Sequence, residues 1–113
     1  ERAVFPAQCP SRELLDHVVG KWGVLLVVSL SEGSHRWTEL RRRAEGISEK
    51  MLAQTLKTLA ADGLVERHQL PVMPPHVEYR LTPAGEELAR VMVPLVQWAT
   101  RRADQMALDS GAA

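Results

Sequence analysis

A single cysteine, Cys9, occurs in the 113 residues of this sequence. One cysteine excludes an internal disulfide bond and a cysteine-rich zinc site, and it agrees with a reducing compartment. The sequence also lacks an apolar run of about eighteen residues, and residues 22–30 come nearest to one. Its start lacks the basic and apolar pattern of a signal sequence. We therefore expect a cytoplasmic protein with no membrane partner.

The sequence has no excess of charge of either sign, because 14 Lys and Arg residues balance 14 Asp and Glu residues. A net charge of zero argues against indiscriminate binding to polyanions. The distribution is uneven, however, since residues 36–59 contain six basic and three acidic side chains. A local electropositive segment suits a surface that faces phosphate, although most charge runs are simply solvated.

Recognisable catalytic patterns are missing as well. We find no Ser, His and Asp set, no glycine-rich phosphate loop and no paired catalytic carboxylates. His68 and His76 could approach each other across a hairpin, but two strand histidines without a third ligand are poor zinc spacing. His17 and His35 are more easily explained as surface residues of amphipathic segments. We therefore expect no enzymatic activity, no metal and no cofactor.

The first half of the chain predicts four helices. Apolar residues between positions 9 and 33 repeat at steps of three and four. This pattern predicts two helices, the first capped by Ser11 and the second ended by Gly33. A short helix is expected over residues 38–43. Ser48 precedes a run of good helix formers that reaches Ala61, so we expect it to cap the fourth helix.

The second half predicts a β-hairpin and a final helix. Residues 64–70 and 77–81 suit two paired strands, and the loop between them contains three prolines. The Thr82–Pro83 pair is typical of a helix start. The last helix should reach about residue 108, and Pro94 should kink or divide it because proline removes a backbone donor.

Helices followed by a hairpin and a last helix are the order of a winged helix-turn-helix domain. We therefore predict a mainly α protein with a β-hairpin, in a single domain over residues 1–113. The helix after Ser48 would be the recognition helix. This order does not fix the function, because winged-helix domains also serve as protein-interaction modules. The exposed residues have to separate DNA binding from protein binding.

Successive residues of a helix are about 100° apart, and this spacing gives the predicted recognition helix two distinct faces. The inward face is formed by Leu52, Leu56 and Leu59. The opposite side carries Lys50, Met51, Gln54, Lys57 and Thr58. Lysine can neutralise phosphate or reach guanine, glutamine pairs with adenine, and threonine and methionine can touch a thymine methyl group. An ordinary solvated helix face is the other explanation of the pattern.

Seven sequence strings stand out for their order and spacing over residues 9–98. They are Cys9-Pro10, Gly20-Lys21-Trp22, Arg36-Trp37-Thr38-Glu39-Leu40-Arg41, Gly46-Ile47-Ser48-Glu49-Lys50-Met51-Leu52, Asp62-Gly63-Leu64-Val65, Pro74-Pro75-His76-Val77-Glu78-Tyr79 and Leu81-Thr82-Pro83-Ala84-Gly85. Together they resemble the HxlR-type transcriptional regulators, which is a more specific signal than any single motif. The resemblance implies a bacterial or archaeal winged-helix regulator that binds double-stranded DNA as a homodimer. Its terminal helices would contribute the dimer contacts.

The helix face and the resemblance together give a set of expected DNA-binding residues. They are Arg36, Arg41, Arg42, Ser48, Lys50, Met51, Gln54, Thr55, Lys57, Thr58 and His76. The sequence departs from the family at Trp37, where phenylalanine is usual, and at Thr55 and His76, where arginine is common. The latter two changes weaken or alter expected DNA contacts, and protonation would strengthen the contact from His76. A dimer would read a pseudo-palindromic operator.

The last helix carries a wide apolar surface that a domain of this size could hardly cover alone. Its members are Leu88, Val91, Met92, Leu95 and Trp98. A partner chain would cover this surface, or the helix would fold back on Leu14, Val18 and Trp22 of its own chain. We expect a mixture, in which Leu15, Trp22 and Trp98 lie near both the core and the dimer interface.

Cys9 lies before the first helix, where some relatives of the HxlR-type family carry a thiol that senses oxidants or electrophiles. Such a role requires an exposed thiolate near positive charge or a helix N-terminus, and Arg12 is close in sequence. A free cysteine is otherwise commonly a small buried apolar residue. The predicted function is therefore a dimeric DNA-binding regulator, with a protein-interaction module as the alternative. Thiol sensing at Cys9 and a small-molecule effector are left open.

Overall fold

The computed structural model describes residues 9–111, and these form five helices and a two-stranded antiparallel hairpin. In chain order the elements are α1 (Pro10–Val18), α2 (Lys21–Leu30), α3 (Trp37–Arg43), α4 (Glu49–Ala61), β1 (Val65–Leu70), β2 (His76–Leu81) and α5 (Pro83–Asp109). The predicted order of elements and the mainly helical winged helix-turn-helix fold are confirmed. Within residues 9–111, no helix is both long enough and apolar enough to span a membrane.

Local sequence fixes both ends of α4. Ser48 adopts extended backbone angles, and its Oγ accepts a hydrogen bond from the backbone N–H of Met51 at 3.0 Å. This bond satisfies one of the N–H groups that a helix start leaves unpaired. At the other end Asp62 is the C-cap, and Gly63 has a left-handed φ of 75° that glycine adopts without strain. The predicted cap and end of this helix are confirmed.

The hairpin packs beside α4 through β1. Val65 pairs with Leu81 and Leu70 pairs with His76, so the strands differ from their predicted bounds by one residue each. Residues 71–75 connect the strands, and the three prolines of this segment lie outside the ladder as expected.

His35 is buried, with 7% of its surface exposed, so its predicted surface position is wrong. Its backbone N–H donates to the carbonyl of Tyr79 at 3.0 Å, and its own carbonyl accepts from the Tyr79 N–H at 2.8 Å. This bridge adds one residue of pairing to the free edge of β2. The imidazole is also satisfied, because the Gly33 carbonyl accepts from Nδ1 at 2.8 Å.

The core lies where α2, α3 and α4 meet. Leu26 and Val27 of α2, Leu40 of α3, and Leu52 and Leu59 of α4 have no exposed surface. Full burial of one such side chain contributes about 1.5–3 kcal/mol of hydrophobic stabilisation. The inward face predicted for α4 is therefore confirmed, and the opposite face is left to solvent.

The predicted cap of the first helix is wrong. The first helix is capped by Cys9, because Pro10 lacks an N–H and suits the first helical position, so Ser11 lies inside the helix. The last helix continues through Pro94, so a division there is excluded, and a kink at this proline stays a prediction. Pro94 and Arg90, whose carbonyl loses its helical donor, are both exposed, so water can hydrogen-bond that carbonyl.

Gly85 allows α5 to start against the end of α4 and β1. A Cβ at this position would overlap the carbonyl oxygen of Leu64 and lie 3.0 Å from the side chain of Leu81. The Thr82 Oγ1 accepts from the Gly85 N–H at 3.1 Å, and the Thr82 N–H donates to the Leu64 carbonyl at 3.0 Å. This close approach of two backbones requires a residue without a side chain.

We expect Gly85→Ala to lower the free energy of unfolding by about 1–3 kcal/mol, because the backbone must move to relieve the overlap. Urea denaturation followed by circular dichroism measures the change. Gly20→Ala is the matched control, since a Cβ there meets nothing within 4 Å. It should change the stability by less than about 1 kcal/mol. Equal stabilities of the two variants would contradict the tight packing at Gly85.

Candidate nucleic-acid interface

Helices α3 and α4 form a helix-turn-helix pair. In the turn between them Gly46 has a left-handed φ of 92°, and the following residue, Ile47, is buried in the core. An exposed ion pair joins the end of α3 to the start of α4, with 3.2 Å between Arg41 Nη1 and Glu49 Oε1. Exposed pairs contribute little, so the buried Ile47 is the main anchor of the turn.

The outward face of α4 is exposed and polar. Lys50, Gln54 and Lys57 are exposed, and Met51 beside them is also largely accessible. Within residues 9–111 neither lysine forms an ion pair or hydrogen bond. Their charges are therefore available to an external anion such as a DNA phosphate.

The polar face of α4 is narrower than the sequence predicts. Thr55 and Thr58 are half-buried and line a groove with the turn between α1 and α2. The Thr55 hydroxyl donates to the Met51 carbonyl at 2.7 Å, so it is already used within the helix. Ser48 is exposed, but its hydroxyl caps α4. DNA contacts from these hydroxyl groups stay predictions, and Gln54 and the two lysines are the side chains best placed for them.

His76 lies at the start of β2, between Arg36 and Glu78, and these three residues form the wing-base cluster. Arg36 Nε lies 3.0 Å from His76 Nε2, and a second guanidinium nitrogen contacts the ring at Nδ1. Glu78 Oε2 also lies 3.0 Å from Nε2. Because Nε2 either accepts from Arg36 or donates to Glu78, each tautomer makes one of these two bonds. The His76 side chain is 18% exposed, so its predicted contact with DNA depends on this cluster.

Arg36 also begins α3 as its N-cap. Its backbone N–H donates to Glu39 Oε1 at 2.9 Å, and this hydrogen bond is the main cause that lowers the pKa of Glu39. The ionised carboxylate lies near the guanidinium groups of Arg36 and Arg42 and offsets part of their charge. The strongest positive potential is therefore expected at Lys50 and Lys57 of α4, which have no acidic partner among the described residues.

A second candidate surface, the α1–α5 apolar surface, joins the first and last helices. Its exposed members are Leu14, Leu15, Val91, Leu95 and Trp98. Val91 is 68% exposed, and Trp98, about two turns later on the same side of α5, is 56% exposed. Neighbouring exposed side chains of this size often mark an interaction surface. A cavity of about 500 Å³ with mostly apolar walls lies between the two helices. This surface contains four of the residues predicted for a dimer interface.

The other residues predicted for the dimer interface lie closer to the core of their own chain. Leu88 and Trp22 are half-buried against it, and the Lys21 ammonium lies 4.4 Å from the centre of the Trp22 ring. Met92 is only 3% exposed, so it serves the core and we leave it out of the proposed interface. From residue 97 to residue 111 every position is exposed, and α5 therefore projects beyond the body of the domain.

Cys9 is half-buried at the N-terminus of α1. The Ser11 hydroxyl, followed by the backbone N–H groups of Ser11 and Arg12, stabilises the thiolate and lowers the pKa of Cys9 below its ordinary value. The positive end of the helix dipole acts in the same direction. These are the conditions under which a cysteine becomes more reactive than a free thiol.

Comparison with known proteins identifies the family. Residues 17–107 match the family model described as HxlR-like helix-turn-helix. The chain belongs to this family. The HxlR-type resemblance of the sequence is therefore confirmed over the helix-turn-helix pair, the hairpin and most of α5.

Individual relatives agree in sequence and fold. YtfH of Escherichia coli strain K12, an uncharacterized HTH-type transcriptional regulator, is 53% identical over 98 residues, which cover 87% of this chain and 78% of that protein. The solved structure of ytfH from Salmonella typhimurium, named as a candidate transcriptional regulator, is 47% identical with a TM-score of 0.85. It covers 98% of this chain and 99% of that one. The redox regulator HypR in its oxidized form is 35% identical with a TM-score of 0.76, covering 82% and 96% of the two chains.

Sequence reasoning did not anticipate the wing-base cluster. Arg36 and His76 are separated by 40 positions, and no local periodicity links them. The available signal was the period of two along β2, which places His76 and Glu78 on the same face of the hairpin. The contact with Arg36 depends on how α3 packs against β2, which the local pattern does not contain.

Proposed function

We propose that this chain is a sequence-specific DNA-binding transcriptional regulator that acts as a homodimer. The observation that carries the proposal is the outward face of α4, where Lys50, Gln54 and Lys57 are exposed opposite the buried leucines. Membership of a helix-turn-helix family, with transcriptional regulators among the relatives, supports it.

In this proposal α4 enters the major groove and the hairpin lies beside it over the DNA backbone. Gln54 pairs with the hydrogen-bonding edge of adenine, and Lys50 and Lys57 reach guanine acceptors or neighbouring phosphates. Arg41 and Arg42 at the end of α3 neutralise phosphates, which positions the domain without reading bases. In this arrangement Gln54 would determine the sequence preference, and the basic side chains would contribute most of the affinity.

Dimerisation is proposed through the α1–α5 apolar surface within the single domain of residues 1–113. Two copies related by a two-fold axis would cover each other's exposed Val91, Leu95 and Trp98. The same axis presents two α4 helices to one side of a duplex. The operator would therefore be pseudo-palindromic, with half-sites about 34 Å apart or a multiple of this distance.

The alternative is a protein-interaction module without DNA affinity. The salt dependence of binding distinguishes this function from DNA binding. Binding that neutralises phosphates releases counterions, so affinity falls steeply as salt increases. An apolar protein interface responds little to salt. The unpaired charges of Lys50 and Lys57 favour the DNA-binding function.

We expect Gln54→Ala and Lys57→Ala to change DNA binding in different ways. Loss of the amide should relax base preference at one position per half-site, at a cost of about 1–3 kcal/mol there. Loss of the lysine should weaken binding to all sequences alike. It should also reduce the slope of log affinity against log salt concentration by about 1, which corresponds to one phosphate contact. Selection of sites from a random duplex pool and titrations at several salt concentrations measure both effects.

Arg90→Ala is the matched control for removal of one charge, because Arg90 is exposed on α5 beside the end of α2. Its selected sequence and salt dependence should equal those of the wild type. An unchanged selected sequence in Gln54→Ala would show that the helical phase assigned to α4 is wrong. Wild-type affinity that does not respond to salt would favour the protein-interaction module.

We expect Val91→Glu to raise the dimer dissociation constant by at least about tenfold, because an unpaired carboxylate would be buried between the two chains. Sedimentation velocity over a concentration series measures the change. Val91 is 68% exposed in one chain, so the substitution should leave the fold intact. Gln97→Glu introduces the same charge at an exposed position of the same helix and should leave the dimer unchanged. A fully dimeric Val91→Glu protein would refute this interface.

Thiol-based regulation is a second candidate function, favoured by the lowered pKa of Cys9 at a helix N-terminus. The redox regulator HypR among the structural relatives supports it. Oxidation of Cys9 to a sulfenic acid would place a larger polar group at the start of α1, next to the α1–α5 apolar surface. The affinity of the dimer for its operator would then fall.

Alkylation of Cys9 tests its activation, since no other cysteine is present in the sequence. The pH profile of the alkylation rate should have its midpoint below that of a free thiol. Ser11→Ala should raise this midpoint, because a hydrogen bond to the thiolate is lost. Ser34→Ala, at an exposed position elsewhere, is the control. Hydrogen peroxide should lower the operator affinity of the wild type and leave Cys9→Ser unaffected. Identical midpoints in Ser11→Ala and the wild type would remove the proposed cause.

A further inference from the structure

A small groove separates α4 from the hairpin. Its volume is about 270 Å³, and Ala53, Leu56 and Ala60 of α4 form one wall while Val65 of β1 contributes to the other. The three α4 residues recur at steps of three and four, so they lie on one side of the helix. Two of them are alanines, and this leaves a gap between helix and sheet that larger side chains would close.

Two aromatic side chains contribute to the lining of this groove. Trp37 at the start of α3 and Tyr79 of β2 both line it, and both are half-buried. Aromatic faces and edges favour another planar ring in offset or edge-to-face contact, by about 0.5–1.5 kcal/mol per pair beyond simple burial. The two aromatic side chains therefore favour a planar ring as the bound group.

The charged residues of the groove lining are all basic. Lys57 of α4 and Arg67 of β1 both line it, and no acidic residue among those described does so. Neither cation forms an ion pair or hydrogen bond with another described residue. On the other face of the hairpin, by contrast, Arg80 is paired with Glu66 across the strands. A groove lined by two aromatic side chains and two unpaired cations is complementary to an aromatic anion.

We propose that this groove binds a small aromatic carboxylate, with the ring between Trp37 and Tyr79 and the carboxylate between Lys57 and Arg67. The size agrees with a single ring, because an apolar cavity of about 150 Å³ in another protein accepts benzene. Drug-sized ligands usually need about 300–1,000 Å³. The carboxylate gains a charge-assisted hydrogen bond to Arg67, and the ring is removed from water.

The site has a regulatory consequence that rests on the proposed DNA-binding function of α4. Lys57 lines the groove and also lies on the outward face of α4. A bound carboxylate would engage Lys57 and bring a negative charge close to the phosphate backbone. The ligand would therefore lower DNA affinity without any rearrangement of the helix.

Binding to the groove is tested first without DNA, with benzoate as the probe. The chain has three tryptophans, and their indole N–H signals report separately in a proton–nitrogen correlation spectrum. We expect saturable shifts of Trp37, with a dissociation constant on the order of 1 mM, while Trp22 and Trp98 stay unchanged. Benzyl alcohol, which lacks the charge, should bind at least about twofold more weakly. Absence of a Trp37 shift at ten times the expected constant would overturn the proposal.

Two kinds of variant separate the groove from general surface binding. Ala60→Leu should fill the gap and abolish the shifts, because Ala60 lines the groove. Ala61→Leu adds the same side chain at the next position, which does not line the groove, and should preserve them. Ala53→Leu is a second filling variant. Arg67→Gln should weaken benzoate by about two- to fivefold and leave benzyl alcohol unchanged. Equal benzoate binding in the wild type and both filling variants would overturn the groove as the site.

DNA binding is then measured with and without benzoate. We expect benzoate to weaken DNA binding by the wild type and to have no effect on Ala60→Leu, with benzyl alcohol as the neutral comparison in both. If DNA binds and benzoate shifts Trp37 but does not change DNA affinity, the regulatory part is overturned. If DNA does not bind at all, the proposed function fails while the groove is still judged by the indole signals.

Discussion

The burial of one side of α4 is the constraint on which the other surfaces depend. Leu52 and Leu59 are fully buried against Leu26 of α2 and Leu40 of α3. A rotation of α4 by one residue, about 100°, would expose leucines at a cost of about 1.5–3 kcal/mol each. It would also bury lysine, which is more costly without a partner. The leucines therefore determine which residues of α4 meet solvent, and so which ones are available to DNA.

The parts of the fold that local sequence determines were predicted well. The Ser48 cap and the glycine at position 63 act within a few residues, so sequence alone indicates where α4 begins and ends. His35 was assigned to the surface wrongly, because its burial depends on a backbone bridge to Tyr79 in a distant strand. For the candidate site, the exposed lysines and Gln54 followed from helical phase. The wing-base cluster did not, since it requires the packing of α3 on β2.

Neighbouring apolar residues within one turn of the last helix can differ sharply in burial. Val91 and Met92 are adjacent in sequence, yet Val91 is 68% exposed and Met92 only 3%. An apolar stripe wider than the core can accept was visible in the sequence, but its division into buried and exposed parts needs the position of α2. Beyond residue 96 the helix has left the body of the domain. Apolar side chains on this projecting part have little of their own chain left to pack against, which is why we assign them to a partner.

Two routes of regulation would reach the DNA-binding face by different physical means. Cys9 lies at the start of α1, beside the proposed dimer interface, so its oxidation would act through the relation of the two proposed subunits. The groove shares Lys57 with the proposed DNA-binding face, so the proposed ligand would act through charge within one subunit. Thermodynamic linkage requires such an effect to be reciprocal, so bound DNA would reduce the affinity of the groove for the aromatic anion by the same factor. Because the leucine side of α4 prevents rotation, competition for the same charge is the direct means by which this groove can control DNA affinity.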